Sequence, residues 1–227
     1  MDIVMLAAGT SSRMGKENKM LLPYDGIPMV AHCCLEALRF LERHSQENNE
    51  SCTLIVVTGY RRQSVEKALL PCKLFVEKTD APVQLLIVNN PDYRNGQFSS
   101  TKKGVAEVSE GSPFFISLAD MPLIKPGHYA RLVPLLEGHD AVRPFCKAEN
   151  KAENKSENKS EGKTEEDKVP GHPVLHRPDL KETILRCPDD CTVSRILRNC
   201  DVSEPLFTDP SWIRDIDSEQ DYRQVNS

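Results

Sequence analysis

Residues 3–15 read Ile-Val-Met-Leu-Ala-Ala-Gly-Thr-Ser-Ser-Arg-Met-Gly, and the expected fold follows from this segment. The apolar run at its start is typical of a buried strand, and the small residues after it are typical of a loop that approaches a ligand closely. Gly9 and Gly15 allow consecutive backbone N–H groups to point into one concavity that holds an anion. Arg13 and Lys19 add positive charge. The segment indicates a polyphosphate-binding loop; the alternative is a strand–helix connection without a ligand.

The spacing of this loop excludes two common nucleotide-binding motifs. A Walker A loop has four residues between its first glycine and the Gly-Lys pair, which Ser or Thr follows. Here five residues separate Gly9 from Gly15, and Glu17 follows Lys16. The chain also lacks the Gly-x-Gly-x-x-Gly fingerprint of dinucleotide-binding proteins, which disfavours an NAD(P)-linked oxidoreductase.

Short apolar runs alternate along the chain with segments whose apolar residues recur at helical spacing. This alternation predicts a three-layer α/β/α, Rossmann-like fold with a mainly parallel sheet and a ligand site at the carboxyl ends of the strands. We expect strands over residues 3–8, 53–58, 84–88 and 114–118, and helices over residues 29–41, 63–70, 100–108 and 126–136.

Size and composition narrow the class of protein. The 227 residues suit a single α/β domain. A formal net charge of −5 disfavours a nucleic-acid binder that relies on attraction to phosphates. Apolar runs stay far below the ~20 residues that cross a bilayer, and the N-terminus has a strand pattern unlike that of a signal peptide. We therefore expect a cytoplasmic protein that binds neither nucleic acid nor membrane.

The chain also contains eight cysteines, of which Cys187, Cys191 and Cys200 form the only tight group. This group lacks a clear fourth ligand at standard zinc spacing. We expect ordinary reduced, partly buried thiols.

Residues 147–168 break the α/β pattern with a Lys/Glu/Asn-rich repeat of about four residues. On a helix this repeat would stack like charges at i, i+4, and it offers nothing larger than alanine for burial. We predict a disordered, low-complexity insertion within one domain that spans residues 1–227. A partner-binding segment is the alternative.

Two acidic segments are candidates for a metal site. Asp120 follows the predicted strand 114–118, at the rim where a hard cation such as Mg²⁺ finds carboxylate ligands. Asp217 lies in the segment Asp215-Ile216-Asp217 near the C-terminus, and Asp215 is a candidate for the same role. Taken alone, Asp120 is better explained as a helix or turn cap, and the second segment as a strand before a helix that Ser218 caps.

The motifs taken together resemble the MobA-like nucleotidyltransferases. Leu-Ala-Ala-Gly-x-Ser-x-Arg-Met-Gly over residues 6–15, Lys19 and the Asp-Met-Pro of residues 120–122 carry the resemblance. The segment at residues 170–176, Pro-Gly-His-Pro-Val-Leu-His, resembles a motif of the molybdenum cofactor cytidylyltransferase branch, with His176 in place of Phe. Guanylyltransferase relatives usually carry Gly-Gly where this chain has Ala8-Gly9, which favours a cytosine nucleotide.

The resemblance implies roles for individual residues. Arg13 and Lys19 would contact the NTP phosphates and stabilise the transferring charge, Asp120 and Asp217 would bind Mg²⁺, and His172 would contact the acceptor. For His172, a role in holding a turn is the alternative. The residues implied to surround the nucleotide are Leu6, Ala7, Ala8, Gly9, Ser11, Arg13, Lys19 and Ser100, although N-capping explains Ser100 equally well.

The activity implied by the resemblance is Mg²⁺-dependent transfer of CMP from CTP to molybdopterin, with release of pyrophosphate. A molybdoenzyme would receive the finished cofactor. The alternatives are a guanylyltransferase, transfer to another phosphorylated acceptor such as a sugar or polyol phosphate, and a non-catalytic maturation factor that binds nucleotide or cofactor.

Overall fold

Seven strands form the central sheet of the structure, a computed structural model that describes residues 1–10, 18–147 and 168–225. The described ranges contain twelve strands in three sheets: β1 (Asp2–Ala7), β2 (Pro23–Tyr24), β3 (Ile27–Pro28), β4 (Cys52–Thr58), β5 (Val83–Asn89), β6 (Phe114–Leu118), β7 (Ala141–Val142), β8 (Phe145–Lys147), β9 (Lys168–Pro170), β10 (Val174–His176), β11 (Val202–Ser203) and β12 (Leu206–Phe207). The central order is β11-β7-β10-β6-β1-β4-β5. Within the described ranges, β10 alone runs antiparallel to its neighbours in this sheet.

Helices cover both faces of the sheet. They are α1 (Met29–Asn48), α2 (Arg62–Ala68), α3 (Leu70–Lys78), α4 (Gln97–Ala106), α5 (Pro126–Leu132), α6 (Leu180–Arg186), α7 (Val193–Leu197) and α8 (Glu219–Val225). Within these ranges, no helix has the length and apolar character needed to cross a bilayer. The predicted helix 63–70 is wrong in its end: Pro71 lies in the first turn of α3, where a proline fits because its missing N–H has no helical partner.

Strand β1 shows how the three layers form. Ile3, Met5 and Ala7 pack into one hydrophobic core, on the side of α1 and α5. Val4 and Leu6 pack into the other core, on the side of α4 and α6. Alternate side chains of a strand point to opposite faces, so an uninterrupted apolar run is what a sheet covered on both faces requires. The predicted three-layer α/β/α class with a mainly parallel sheet is confirmed.

A small second sheet, β12-β8-β9, carries the ends of the predicted insertion. Lys147 ends β8 and Lys168 begins β9, and the two residues pair opposite each other in an antiparallel ladder. The two end residues of the predicted insertion thus lie in strands. The rest of the predicted insertion lies outside the described residues.

All eight cysteines lie in the described ranges, and none of them forms a disulfide there. Cys187, Cys191 and Cys200 line one surface pocket beside α6 and α7. Cys191 is buried, and the other two are partly exposed.

His176 is a fully buried polar residue in β10, paired with Phe114 of β6. Its ring stacks on the Phe114 ring with 5.0 Å between centroids and an interplanar angle of 9°. Both ring nitrogens are buried without a hydrogen-bond partner. Burial lowers the pKa of His176 to about 4, although the backbone carbonyls of Phe114 and Val174 act in the opposite direction. The imidazole is thus held neutral in an apolar environment.

We expect His176→Phe to stabilise the protein increasingly as the pH falls. An unfolded histidine has a pKa near 6.5, so between about pH 6.5 and 4 the unfolded wild-type chain binds a proton that the folded chain does not. Wild-type stability is therefore lost as the pH drops through this window, by about 2 kcal/mol at pH 5. Urea unfolding of both proteins at pH 7 and pH 5 measures the effect, and a stability difference that is the same at both pH values would contradict it.

Candidate active site

A cavity of about 570 Å³ opens at the carboxyl ends of β1 and β6. These strands are parallel neighbours with Leu6 paired to Leu118, so their following loops meet at one edge of the sheet. Such an edge is where open α/β sheets bind ligands. The cavity is lined by Leu6, Ala8, Gly9, Thr10, Lys19, Met20, Tyr93, Arg94, Gly96, Gln97, Ser100, Leu118, Asp120, Asp215 and Asp217.

Three carboxylates converge in this cavity. Oxygen atoms of Asp120, Asp215 and Asp217 all lie within 4.8 Å of one another. The C-terminal segment is fixed there because the Ile216 N–H donates to the Asp120 carbonyl at 2.9 Å, and the Ile216 side chain is fully buried. Its two neighbours along the chain can therefore both present carboxylates to the cavity.

Ser218, the residue after Asp217, fixes the C-terminal segment a second time. The Ser218 N–H and hydroxyl both donate to the Asp221 carboxylate, at 2.8 and 2.6 Å. The Asp221 N–H donates back to the Ser218 hydroxyl at 3.2 Å. This reciprocal arrangement caps α8, as the alternative interpretation of Ser218 proposed. It coexists with the acidic cluster.

Lys19 lies among the three carboxylates. Its Nζ is 2.7 Å from Asp120 Oδ2 and 2.7 Å from Asp217 Oδ1, and the residue is only 7% exposed. A short 3₁₀ turn, Lys19–Leu21, presents the side chain, and the Asn18 side chain caps this turn by accepting from the Met20 N–H. Burial lowers the pKa of the ammonium, but Asp120 and Asp217 outweigh burial and the net shift is upward.

The acidic cluster carries more negative charge than Lys19 neutralises. Burial raises the pKa of the Asp215 carboxyl, and repulsion from Asp217 and Asp120 raises it further. The second oxygen of Asp120, Oδ1, is buried without a hydrogen-bond partner. Closely spaced carboxylate oxygens with an unused buried acceptor fit the ligand preference of a hard divalent cation. These residues can hold such an ion.

The loop after β1 borders the same cavity. Leu6, Ala8 and Gly9, which the sequence predicted around the nucleotide, line its wall. Ala7 differs, since it is fully buried in the core on the opposite face of the sheet. Ala7 does not line this cavity, and its predicted place around the nucleotide stays a prediction. Ser11 and Arg13 lie outside the described residues.

Comparison with known proteins identifies the family of the chain. The sequence profile of the MobA-like NTP transferase domain matches residues 3–204. The chain belongs to this family. It is a nucleotidyltransferase.

Individual relatives of this NTP transferase are distant. The molybdenum cofactor cytidylyltransferase of Escherichia coli (strain K12) is 27% identical over 222 residues, 97% of this chain and 93% of the relative. The crystal structure of Rv0371c from Mycobacterium tuberculosis H37Rv has a TM-score of 0.69 at 19% identity and covers 99% of this chain and 97% of its own. A structure of Rv0371c in complex with manganese has a TM-score of 0.59 at 16% identity, covering 99% and 96%. These structures show a shared fold.

Ser100 of the transferase is buried at the cavity wall, but it is not a helix cap. The N-cap of α4 is Gly96, whose φ of 103° is accessible chiefly to glycine. The Ser100 hydroxyl accepts from the Asn90 side-chain amide at 2.9 Å, and the Ser99 hydroxyl accepts from the same amide at 2.9 Å. The N-capping alternative is therefore wrong for Ser100, and Asn90 holds this part of the wall together.

His172 of the transferase does not line the acidic cavity. It lines a smaller, adjoining cavity of about 270 Å³ that shares Leu6 and Gln97 with the first. Its backbone N–H donates to the Trp212 carbonyl at 2.8 Å. A Cβ on the preceding Gly171 would lie 2.3 Å from that same carbonyl oxygen, so the turn requires glycine. The backbone of the Gly171-His172 motif thus docks on Trp212, and the His172 side chain lines the smaller cavity. Its predicted contact with an acceptor stays a prediction.

Two arginines that line these cavities were not predicted from the sequence. Arg94 lines the acidic cavity, from the 3₁₀ turn Tyr93–Asn95 before α4. Arg143 follows the two-residue strand β7 and lines the cavity of His172. The available signal was a cation directly after a short apolar run, as in Ala141-Val142-Arg143, but a two-residue strand shows no periodicity that would draw attention to it.

Proposed function

We propose that this NTP transferase uses Mg²⁺ to transfer CMP from CTP to the phosphate of molybdopterin. The observation that carries the proposal is the convergence of Asp120, Asp215 and Asp217 around Lys19, beside the loop that begins at Ala8. The E. coli relative named as a molybdenum cofactor cytidylyltransferase supports the choice of acceptor and nucleotide. The described manganese complex of Rv0371c supports a divalent ion in this fold. We expect the reaction to take place in the cytoplasm and its product to pass to a molybdoenzyme.

In this proposal, an oxygen of the acceptor phosphate forms a bond to the α-phosphorus of CTP. The bond between the α-phosphorus and the bridging oxygen breaks, and pyrophosphate leaves with that electron pair. A phosphate oxygen is already ionised at neutral pH, so no general base is needed. The contribution of the protein is positioning and charge neutralisation.

Different residues of the site would bind the metal and the phosphates. Asp120 and Asp217, with Asp215, would hold Mg²⁺, which when bound neutralises charge on the phosphates. Lys19 would turn from the carboxylates toward the β- and γ-phosphates, and Arg13 would meet the same phosphates from the loop. The backbone around Gly9 would line the path of the triphosphate.

A pyrophosphate-release assay tests the proposal. Purified protein is incubated with Mg²⁺, molybdenum-loaded molybdopterin and either CTP or GTP. We expect release with CTP to exceed release with GTP, and no release after chelation of the metal with EDTA. Release with GTP alone would reassign the nucleotide. Release with CTP only when a sugar phosphate replaces molybdopterin would reassign the acceptor, and no release under any condition would overturn the catalytic assignment.

A further inference from the structure

The cavity that His172 lines is also lined by Arg143, a cation that has no ion-pair partner among the described residues and whose guanidinium lies 5.8 Å from the centroid of the Phe145 ring. The Nε of Arg143 is buried without a hydrogen-bond partner. Among the described residues, no carboxylate lies within the 4.0 Å of Arg143 that defines an ion pair. Glu204, which is exposed, is the acidic residue that acts on it electrostatically. A half-buried guanidinium with an unused donor costs free energy unless something accepts its hydrogen bonds.

His172, which lines the same cavity, carries a second unused polar atom. The Nδ1 of His172 is also buried without a hydrogen-bond partner. Thr192 and Ser194 add hydroxyl groups to the cavity wall, and Gln97 adds an amide at the border with the acidic cavity. Phe98, Val174 and Leu197 provide apolar surface between these polar groups. A small cavity with a few convergent polar groups on apolar walls is typical of a ligand site.

The position of this cavity relates it to the acidic cluster. Ile116 and Asp120 lie four residues apart along β6 and its extension, with the first lining the smaller cavity and the second the acidic one. At the rise of a strand, this separation is at most about 13 Å. Val174 of β10 pairs with Ile116 of β6, and Arg143 follows β7, which lies on the other side of β10. Arg143 is therefore no closer to Asp120 than Ile116 is. Arg143 is thus placed for an acceptor's distant end, and the attacking phosphate belongs at the acidic cluster.

We propose that the smaller cavity binds the pterin ring of the acceptor, and that Arg143 donates hydrogen bonds to a carbonyl oxygen or ring nitrogen on its edge. This inference rests on the proposed function, because the pterin is the non-reacting end of the acceptor named there. The flat ring packs between the apolar walls, and its polar edge accepts hydrogen bonds from the Arg143 guanidinium. Arg143 is then a specificity-determining residue that separates a pterin acceptor from a sugar or polyol phosphate.

Binding of 6-hydroxymethylpterin, a neutral fluorescent pterin without phosphate, tests the proposal directly. We expect Arg143→Met to raise its dissociation constant about 10- to 100-fold, because hydrogen bonds from a charged donor are lost. Arg143→Lys keeps the charge without the planar fork and should lie between the two. Arg198→Met is the matched control, since Arg198 is exposed and lines a neighbouring surface pocket but not this cavity. Thermal unfolding shows that each variant is folded.

The outcomes separate this inference from the proposed function. The affinity for CTP with Mg²⁺ should stay within about twofold of wild type in Arg143→Met, while the KM for molybdopterin rises in parallel with the pterin dissociation constant. Pterin binding that depends on Arg143, without transfer to molybdopterin, would overturn the proposed function and leave the pterin site standing. Transfer with no effect of Arg143→Met on pterin binding or on the acceptor KM would overturn the pterin site alone. Absence of pterin binding by the wild type would also overturn it.

Discussion

Asp120→Asn is expected to lower the rate of nucleotidyl transfer by about 10²–10³-fold while the protein stays as stable as wild type, within about 1 kcal/mol, or becomes more stable. The rate falls because a neutral amide replaces a carboxylate proposed to hold the divalent ion. Stability persists because Lys19 keeps its ion pair with Asp217 at 2.7 Å. The substitution also removes one of three mutually repelling carboxylates. The negative charge that Lys19 leaves unneutralised destabilises the folded protein, but it favours binding of a divalent cation.

Pyrophosphate release and thermal unfolding, measured on the same preparations, check this prediction. Asp201→Asn is the matched control, because Asp201 is an exposed carboxylate paired with His139 and does not line the acidic cavity. The control should retain wild-type activity. A second measurement follows binding of Mn²⁺ in the absence of nucleotide, which Asp120→Asn should weaken. Full activity together with unchanged Mn²⁺ binding would show that Asp120 is not a metal ligand.

The parts of the fold that were predictable from sequence are those with a strong local pattern. The prediction for β6, residues 114–118, is confirmed at both ends, because an apolar run is bounded there by Pro113 and by the Asp-Met-Pro turn. The end of α1 was missed by seven residues, since apolar spacing stops at Leu41 while the helix continues with polar residues to Asn48. The strands β7, β10, β11 and β12 have two or three residues each, too few to show alternation.

The residues of the candidate site also differ in whether they could be predicted from the sequence. Asp120 was accessible from local pattern, because it follows a buried strand. The partnership of Lys19 with Asp217 was not, since the two residues are 198 positions apart and meet only through the contact of Ile216 with Asp120. Sequence reasoning therefore assigned Lys19 to the phosphates alone, whereas the structure places its ammonium on the carboxylates. Both positions are consistent if the side chain moves when nucleotide and metal bind.

The proposed movement of the Lys19 side chain makes Lys19→Met the second informative substitution. Without the ammonium, three carboxylates face one another with no counter-charge from residue 19, and breaking a buried ion pair of this kind costs about 3–5 kcal/mol. Asp217 is 36% exposed, so water screens part of the repulsion and we expect a loss of about 2–4 kcal/mol. For a chain of this size, that loss lowers the melting temperature by about 5–10 °C. Transfer should fall by about 10²–10³-fold, because a cation on the phosphates is lost as well.

The response of this variant to metal tests whether Lys19 and the divalent ion share ligands. In the wild type, an ion that binds Asp120 and Asp217 must displace the ammonium, whereas in Lys19→Met the carboxylates are free of that competitor. Mg²⁺ alone, without nucleotide, should therefore raise the melting temperature of Lys19→Met more than that of wild type. Lys181→Met is the matched control, since Lys181 pairs with Glu110 outside the acidic cavity and its loss should leave the Mg²⁺ response unchanged. Equal shifts in Lys19→Met and wild type would mean that the metal binds elsewhere, because a site that contains Asp120 and Asp217 cannot be indifferent to the cation 2.7 Å from both.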